Sequence, residues 1–106
     1  MNNIQISGDL SGVNLRNADL PNADLSDAHL FQANLINTDL RDADLEDADL
    51  RNADLSGANL LYADLTYADL FNSNLTKAYL PDVDLTDADL SIADLTKANL
   101  LNADLI

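Results

Sequence analysis

Cysteine is missing from the 106 residues, so the chain has neither a disulfide framework nor a thiolate metal site. Aromatic residues make up only 5% against 47% apolar residues overall, and Leu and Ala supply most of the rest, so any core must be narrow and built from small aliphatic pieces. Nowhere do eighteen apolar residues follow one another, and the start, MNNIQISGDL, has no basic stretch and no long apolar run. These absences argue against a membrane-spanning helix and a secretory leader, and the expected location is the cytoplasm. Basic residues are scarce: five against nineteen acids give a formal charge of −14. That balance disfavours direct contact with nucleic acid or anionic membranes and favours cationic partners.

What the chain does have is repetition. Leucine stands at every fifth position from Leu10 to Leu105 without a gap. Two residues before each Leu is a small or modest side chain, Ala in fifteen of the twenty cases and otherwise Gly8, Val13, Thr38, Ser73 or Val83. Directly before each Leu stand thirteen Asp, five Asn, His29 and Tyr79. The unit is A-(D/N)-L-x-x, as in RDADLEDADLRNADL over residues 41–55.

A period of five fits neither regular element. On a helix, successive leucines would step by about 140° and spread around every side. On a continuous strand, Ala and Leu of one pentad share a face, but the next pair points to the opposite one. The pattern is consistent only if the chain bends once per pentad, with each A-(D/N)-L segment turning Ala and Leu inward and the two following residues forming a corner. Gly12 and Gly57 fall at such corners, among many Asn and Asp that tolerate turn geometry. Coils of this kind stack about 4.8 Å apart, like neighbouring strands. The residues themselves fit three or four pentads per coil.

Over residues 8–106 these twenty registers resemble the pentapeptide-repeat family. The resemblance implies an all-β fold, a right-handed quadrilateral parallel β-helix with four pentads per coil and about five coils. At 106 residues the chain is expected to form a single repeat domain over 1–106, in which residues 1–7 fold over the first coil as an N-terminal cap, with Ile4 and Ile6 supplying apolar cover.

With four pentads per coil, the outward residues sort into four faces. One carries Asp24, Asp44, Asp64, Asp84 and Asp104 in a column, flanked by Asp27, Glu46, Asp47 and Asp87: nine acids and no base. This is the candidate interaction face. Like charges at that spacing repel by roughly 0.9 kcal/mol per neighbouring pair before salt screening. The column has a structural reading too, because Asp and Asn beside a corner hydrogen-bond local backbone groups. A second face is near neutral, with Arg16, Lys77 and Lys97 against Asp54 and Asp94. Phe31, Arg51 and Phe71 share one outward column, which predicts a guanidinium held between two rings. Pro21, Arg41, Leu61, Pro81 and Leu101, with Tyr62 and Tyr79 beside them, form a mildly apolar strip able to meet a partner.

Nothing in this pattern supports catalysis. His29 occupies a position that is usually Asp or Asn, and a prism with a filled core offers no cleft for paired carboxylates. The local calcium candidate, Asp42-x-Asp44-x-Glu46, has Asp47 where a calcium loop needs glycine and Ala53 where it needs glutamate. No catalytic residue, cofactor site or metal site is expected, though weak divalent binding along the Asp24–Asp104 column is compatible with the charges. The expected role is a non-catalytic scaffold working through flat faces and exposed coil ends, its protein partner unidentified. At the C-terminal end, Leu95, Leu100, Leu101, Leu105 and Ile106 form the candidate end-to-end interface for self-association. The alternative comes from the resemblance: some family members mimic duplex DNA and bind type II topoisomerases such as DNA gyrase. Against it, five coils span roughly 24 Å, about seven base pairs.

Overall fold

A computed structural model describes residues 8–106, and the expected cap over 1–7 lies outside the described residues. Each residue before a repeat Leu makes a parallel bridge to the residue twenty positions on, from Asp9 to His29 through to Asp84 to Asp104. The register therefore sets four pentads per coil and excludes three. The bridged columns define four faces. The first runs through residues 9, 29, 49, 69 and 89, the second through 14 to 94, the third through 19 to 99 and the fourth through 24 to 104.

The bends are built identically. At every corner from Leu10–Val13 to Leu100–Ala103, the Leu carbonyl accepts the N–H of the residue three positions on. The second corner residue always has positive φ, near +60° in Asn17, Asp47, Tyr67 and Lys97 and +70° in Gly12. A type II turn requires that sign at its third position. Asn, Asp and Gly suit it, which accounts for their abundance there. Ile92 does not: it is β-branched, held at φ 50° and 68% exposed.

Coils are tied by two upward bonds and one downward bond per pentad. Leu50 N–H donates to Asp69 O at 2.8 Å, Asn52 N–H to Phe71 O at 3.0 Å, and Asp49 N–H to Ala28 O at 2.9 Å. Inside, Ala and Leu fill the square, and every repeat leucine from Leu25 to Leu80, taken at five-residue steps, is completely buried. Each contributes about 1.5–3 kcal/mol of burial. Two polar residues replace Ala in the core. The Thr38 hydroxyl donates to Leu15 O at 2.8 Å, whereas Ser73 Oγ has no partner among the described residues.

Toward the C-terminus the core opens: Leu90, Leu95 and Leu100 are half-buried, and Leu105 is exposed. Among the described residues no helix is long and apolar enough to cross a membrane.

Ile92 shares its corner column with Asn52 and Asn72, where Asn72 Nδ2 donates to Asn52 Oδ1 at 2.6 Å. Ile92→Asn relieves the left-handed strain and offers a third amide to this ladder. Urea denaturation should show a stability gain of about 1 kcal/mol; an unchanged or lowered midpoint would show that the strain is not stored there.

Candidate functional site

The outward Asp and Asn have a common local task. In each of seventeen pentads the side-chain Oδ1 accepts the N–H of the residue two positions on, as in Asp24 to Ser26, Asp44 to Glu46 and Asn74 to Thr76. These Asx turns hold the first corner residue in place. The exceptions explain themselves chemically. Asp19 and Tyr79 precede Pro21 and Pro81, which have no N–H to give. His29 lacks a side-chain carbonyl or carboxylate oxygen, and Phe31 N–H goes without this bond.

On the fourth face, Asp24, Asp44, Asp64, Asp84 and Asp104 are bridged in one register, so the structure brings the expected column together. Each of the five also caps its corner. Asp27, Asp47 and Asp87 line the next corner, with Tyr67, 57% exposed, in the same column between Asp47 and Asp87. Carboxylate oxygens of Asp44, Glu46 and Asp64 lie within 4.8 Å of one another. These three are the acids whose spacing suits a cation. Asp42, part of the local calcium pattern in the sequence, sits at the preceding corner and is not among them, whereas the coil brings in Asp64 from twenty residues away.

Electrostatics separates the cappers from the uncapped acid. Hydroxyl hydrogen bonds from Ser26 and Thr86, aided by the same residues' N–H groups, hold the Asp24 and Asp84 carboxyls below the usual value. Glu46 caps nothing and is pushed up, first by loss of hydration and then by Asp64, Asp44, Asp47 and Asp27. Arg41 and Arg51 are spent locally, pairing with Asp39 at 2.6 Å and Asp49 at 2.7 Å. The expected sandwich is only half made: the Arg51 guanidinium carbon stands 5.2 Å from the Phe31 ring centroid, its head group pairs with Asp49, and the described residues show no matching contact with Phe71. Two shallow grooves open to solvent, one beside Asp24, Asp42 and Asp44, the other around Gly57 between Asn37 and Lys77.

A family model described as pentapeptide repeats, in 8 copies, matches residues 9–47, 38–76 and 73–106. The chain belongs to the pentapeptide-repeat family. Among solved structures, it is 41% identical to HetL of the cyanobacterium Nostoc sp. strain PCC 7120, a pentapeptide-repeat protein involved in heterocyst differentiation regulation, with a TM-score of 0.90. The match covers 92% of this chain and 41% of HetL, so the chain spans about two fifths of that relative's length. A pentapeptide-repeat protein of the Arabidopsis thaliana thylakoid lumen is 35% identical over 91% of this chain and 68% of its own, with a TM-score of 0.86. A trypsin-treated form of QnrB1, a plasmid-mediated fluoroquinolone resistance protein, matches at 19% identity and a TM-score of 0.66 over 90% of this chain and 59% of its own; this likeness shows the fold alone. No curated protein matches the chain. With the family shown, the pentapeptide-repeat fold is the right-handed quadrilateral β-helix that the repeats imply.

Two outcomes follow for the acidic face of this pentapeptide-repeat protein. Asn keeps the capping Oδ1, as Asn34 and Asn74 already do, while removing charge. The triple variant Asp44→Asn, Asp64→Asn, Asp84→Asn should therefore melt higher than the parent at low ionic strength, with the difference shrinking in high salt. A triple variant that melts lower at low salt would mean that the carboxylates hold the face together.

The pH response has two signs. Asp24 and Asp84 have depressed values, so their stabilisation is complete above pH 3.8 and is lost as pH falls through their lower folded values. Glu46 is raised above 4.5, so its ionised form opposes folding, and acidification through its folded value relieves that. Thermal melts should show stability rising slightly on mild acidification before it falls below pH 3.8. Glu46→Gln should remove the rise and leave the fall.

Proposed function

We propose that this pentapeptide-repeat protein is a non-catalytic scaffold that holds protein partners against its flat faces. The observation that carries this reading is the use of its polar groups. Seventeen outward Asp and Asn side chains are committed to corner N–H groups, the core is filled by Leu and Ala, and the grooves are shallow and open. Catalysis needs groups of unlike environment facing one substrate in a cleft. Here carboxylates repeat in like environments along smooth walls. A protein partner needs no cleft, and a wall of regular spacing suits it.

Duplex mimicry toward a type II topoisomerase is the second reading, favoured by the five-Asp column in register. It is weakened because those carboxylates turn onto corner N–H groups instead of projecting as phosphates do. Gyrase pull-down and supercoiling assays at two salt concentrations, with the triple Asp→Asn variant alongside, separate the readings. The scaffold reading expects no salt-sensitive binding, whereas gyrase binding that the variant loses would replace it with mimicry.

The C-terminal coil is a further contact surface under the scaffold reading. The N–H groups of Leu90, Leu95 and Leu100 and the carbonyls of Ala88, Ala93 and Ala98 have no backbone partner among the described residues. Leu101 and Leu105 are 65% and 56% exposed. An edge of this kind pairs with another such edge. Sedimentation of the chain should show concentration-dependent self-association that Leu101→Lys abolishes; a monomer at all concentrations would remove this surface.

A further inference from the structure

Tyr79 stands where the repeat places a corner-capping Asp or Asn, and Pro81 stands where the capped N–H would be. The two departures cancel: no donor is orphaned, so the outward side chain at 79 is released from corner duty. At His29, by contrast, Phe31 keeps its N–H and loses the bond. Tyr79 is 44% exposed and is bridged between Asn59 and Asn99.

Around Tyr79 the surface differs from the rest of the molecule. Leu61, Pro81 and Leu101 stack in one corner column, tied by Tyr62 N–H to Pro81 O at 3.2 Å and Asp82 N–H to Leu101 O at 2.9 Å. Pro81 is buried at a corner position that is elsewhere exposed or half-buried, so its neighbours pack over it. Leu101 is 65% exposed. The opposite corner of the same face carries Lys77 and Lys97, neither in an ion pair among the described residues, while Arg41 and Arg51 are both paired. The lower half of the third face thus has an apolar centre and a cationic rim, with Asp82 its one acid, in a chain of charge −14.

We propose that this half-face docks an acidic protein segment bearing an aliphatic or aromatic anchor. The anchor lies on Tyr79, Leu61 and Leu101, beside the buried Pro81, and carboxylates meet Lys77 and Lys97. The inference rests on the scaffold reading and names one of its partners by chemistry. An aromatic centre with a charged rim is the anatomy of a protein contact. The net negative charge does not prevent it: at physiological salt, charges beyond about 8 Å are largely screened, so the local lysines decide the encounter. The acidic walls elsewhere repel such a segment, which fixes where it lands.

Two short synthetic peptides with the same Leu and Phe anchors test the assignment, one carrying Glu at its other positions and the other Lys, each titrated into the isotope-labelled chain and followed by amide NMR shifts. The Glu peptide should shift residues 59–62, 77–82 and 97–101, and Tyr79→Asn with Lys77→Glu should weaken it about tenfold or more. Asn at 79 restores the usual repeat residue, and undisturbed amide dispersion confirms that the variant is folded. The Lys peptide should shift the fourth face instead. The proposal falls if the Glu peptide causes no shift at millimolar concentration, if the variant binds it equally well, or if the Lys peptide moves the third face as much. It also falls if these residues shift on dilution of the chain alone, which would make a second copy the occupant. Glu-peptide shifts confined to another face would discard this site but leave the scaffold reading standing, since that depends on the gyrase result.

Discussion

The structure depends on one backbone constraint: at each corner, the second residue after the Leu sits at positive φ, and the Leu carbonyl closes the turn three positions on. This left-handed residue turns a chain that would otherwise run on as a flat strand. Because the bend recurs every five residues, Ala and Leu of each pentad return to the interior. Because four bends close a coil, residue i lies beside residue i+20. The ladder, the filled square of leucines and the outward columns all follow from that repeated turn.

The same constraint shapes the surface chemistry. A corner needs an acceptor for its first N–H, and an Asp or Asn before the Leu supplies one within hydrogen-bond reach, as Asp24 does for Ser26. Charge accumulates outside because Asp is one of two residues that do this job well, and Asn is the other. Much of the acidity is therefore structural in origin, yet stacking converts it into a surface property. Glu46 shows the result: it caps no corner, and it feels Asp44 from its own pentad and Asp64 from the next coil.

Departures from the rule are what make the faces of such a molecule differ. Tyr79 with Pro81 is a departure that leaves no corner N–H unsatisfied. Ile92 keeps the bend at the cost of strain, and Ser73 holds a buried hydroxyl with no partner among the described residues. The lysines at 77 and 97 occupy left-handed positions with exposed side chains that are unbranched at Cβ, unlike Ile92. A uniform repeat would present four similar walls, and the substitutions make the walls different.

Much of this was legible in the sequence, because Leu at every fifth position with Ala two residues before it is incompatible with a straight helix or strand and demands a bend. Inward Ala and Leu, outward Asp and corner Gly12 and Gly57 follow from that alone. The number of pentads per coil does not: the spacing fits three or four, and only the hydrogen bonds between coils, such as Leu50 N–H to Asp69 O, choose four. That choice places Asp64 against Glu46 where the sequence suggested Asp42 as a neighbour, since contact is set by stacking across twenty residues and not by adjacency in the chain. It also placed Arg51 beneath Phe31, but the competing carboxylate of Asp49, two residues away, undid the double stack. Composition and period determined the kind of object this chain forms. The tertiary structure decided which charged and aromatic side chains meet, because those meetings depend on coil register and on competition among near neighbours that a five-residue pattern does not encode.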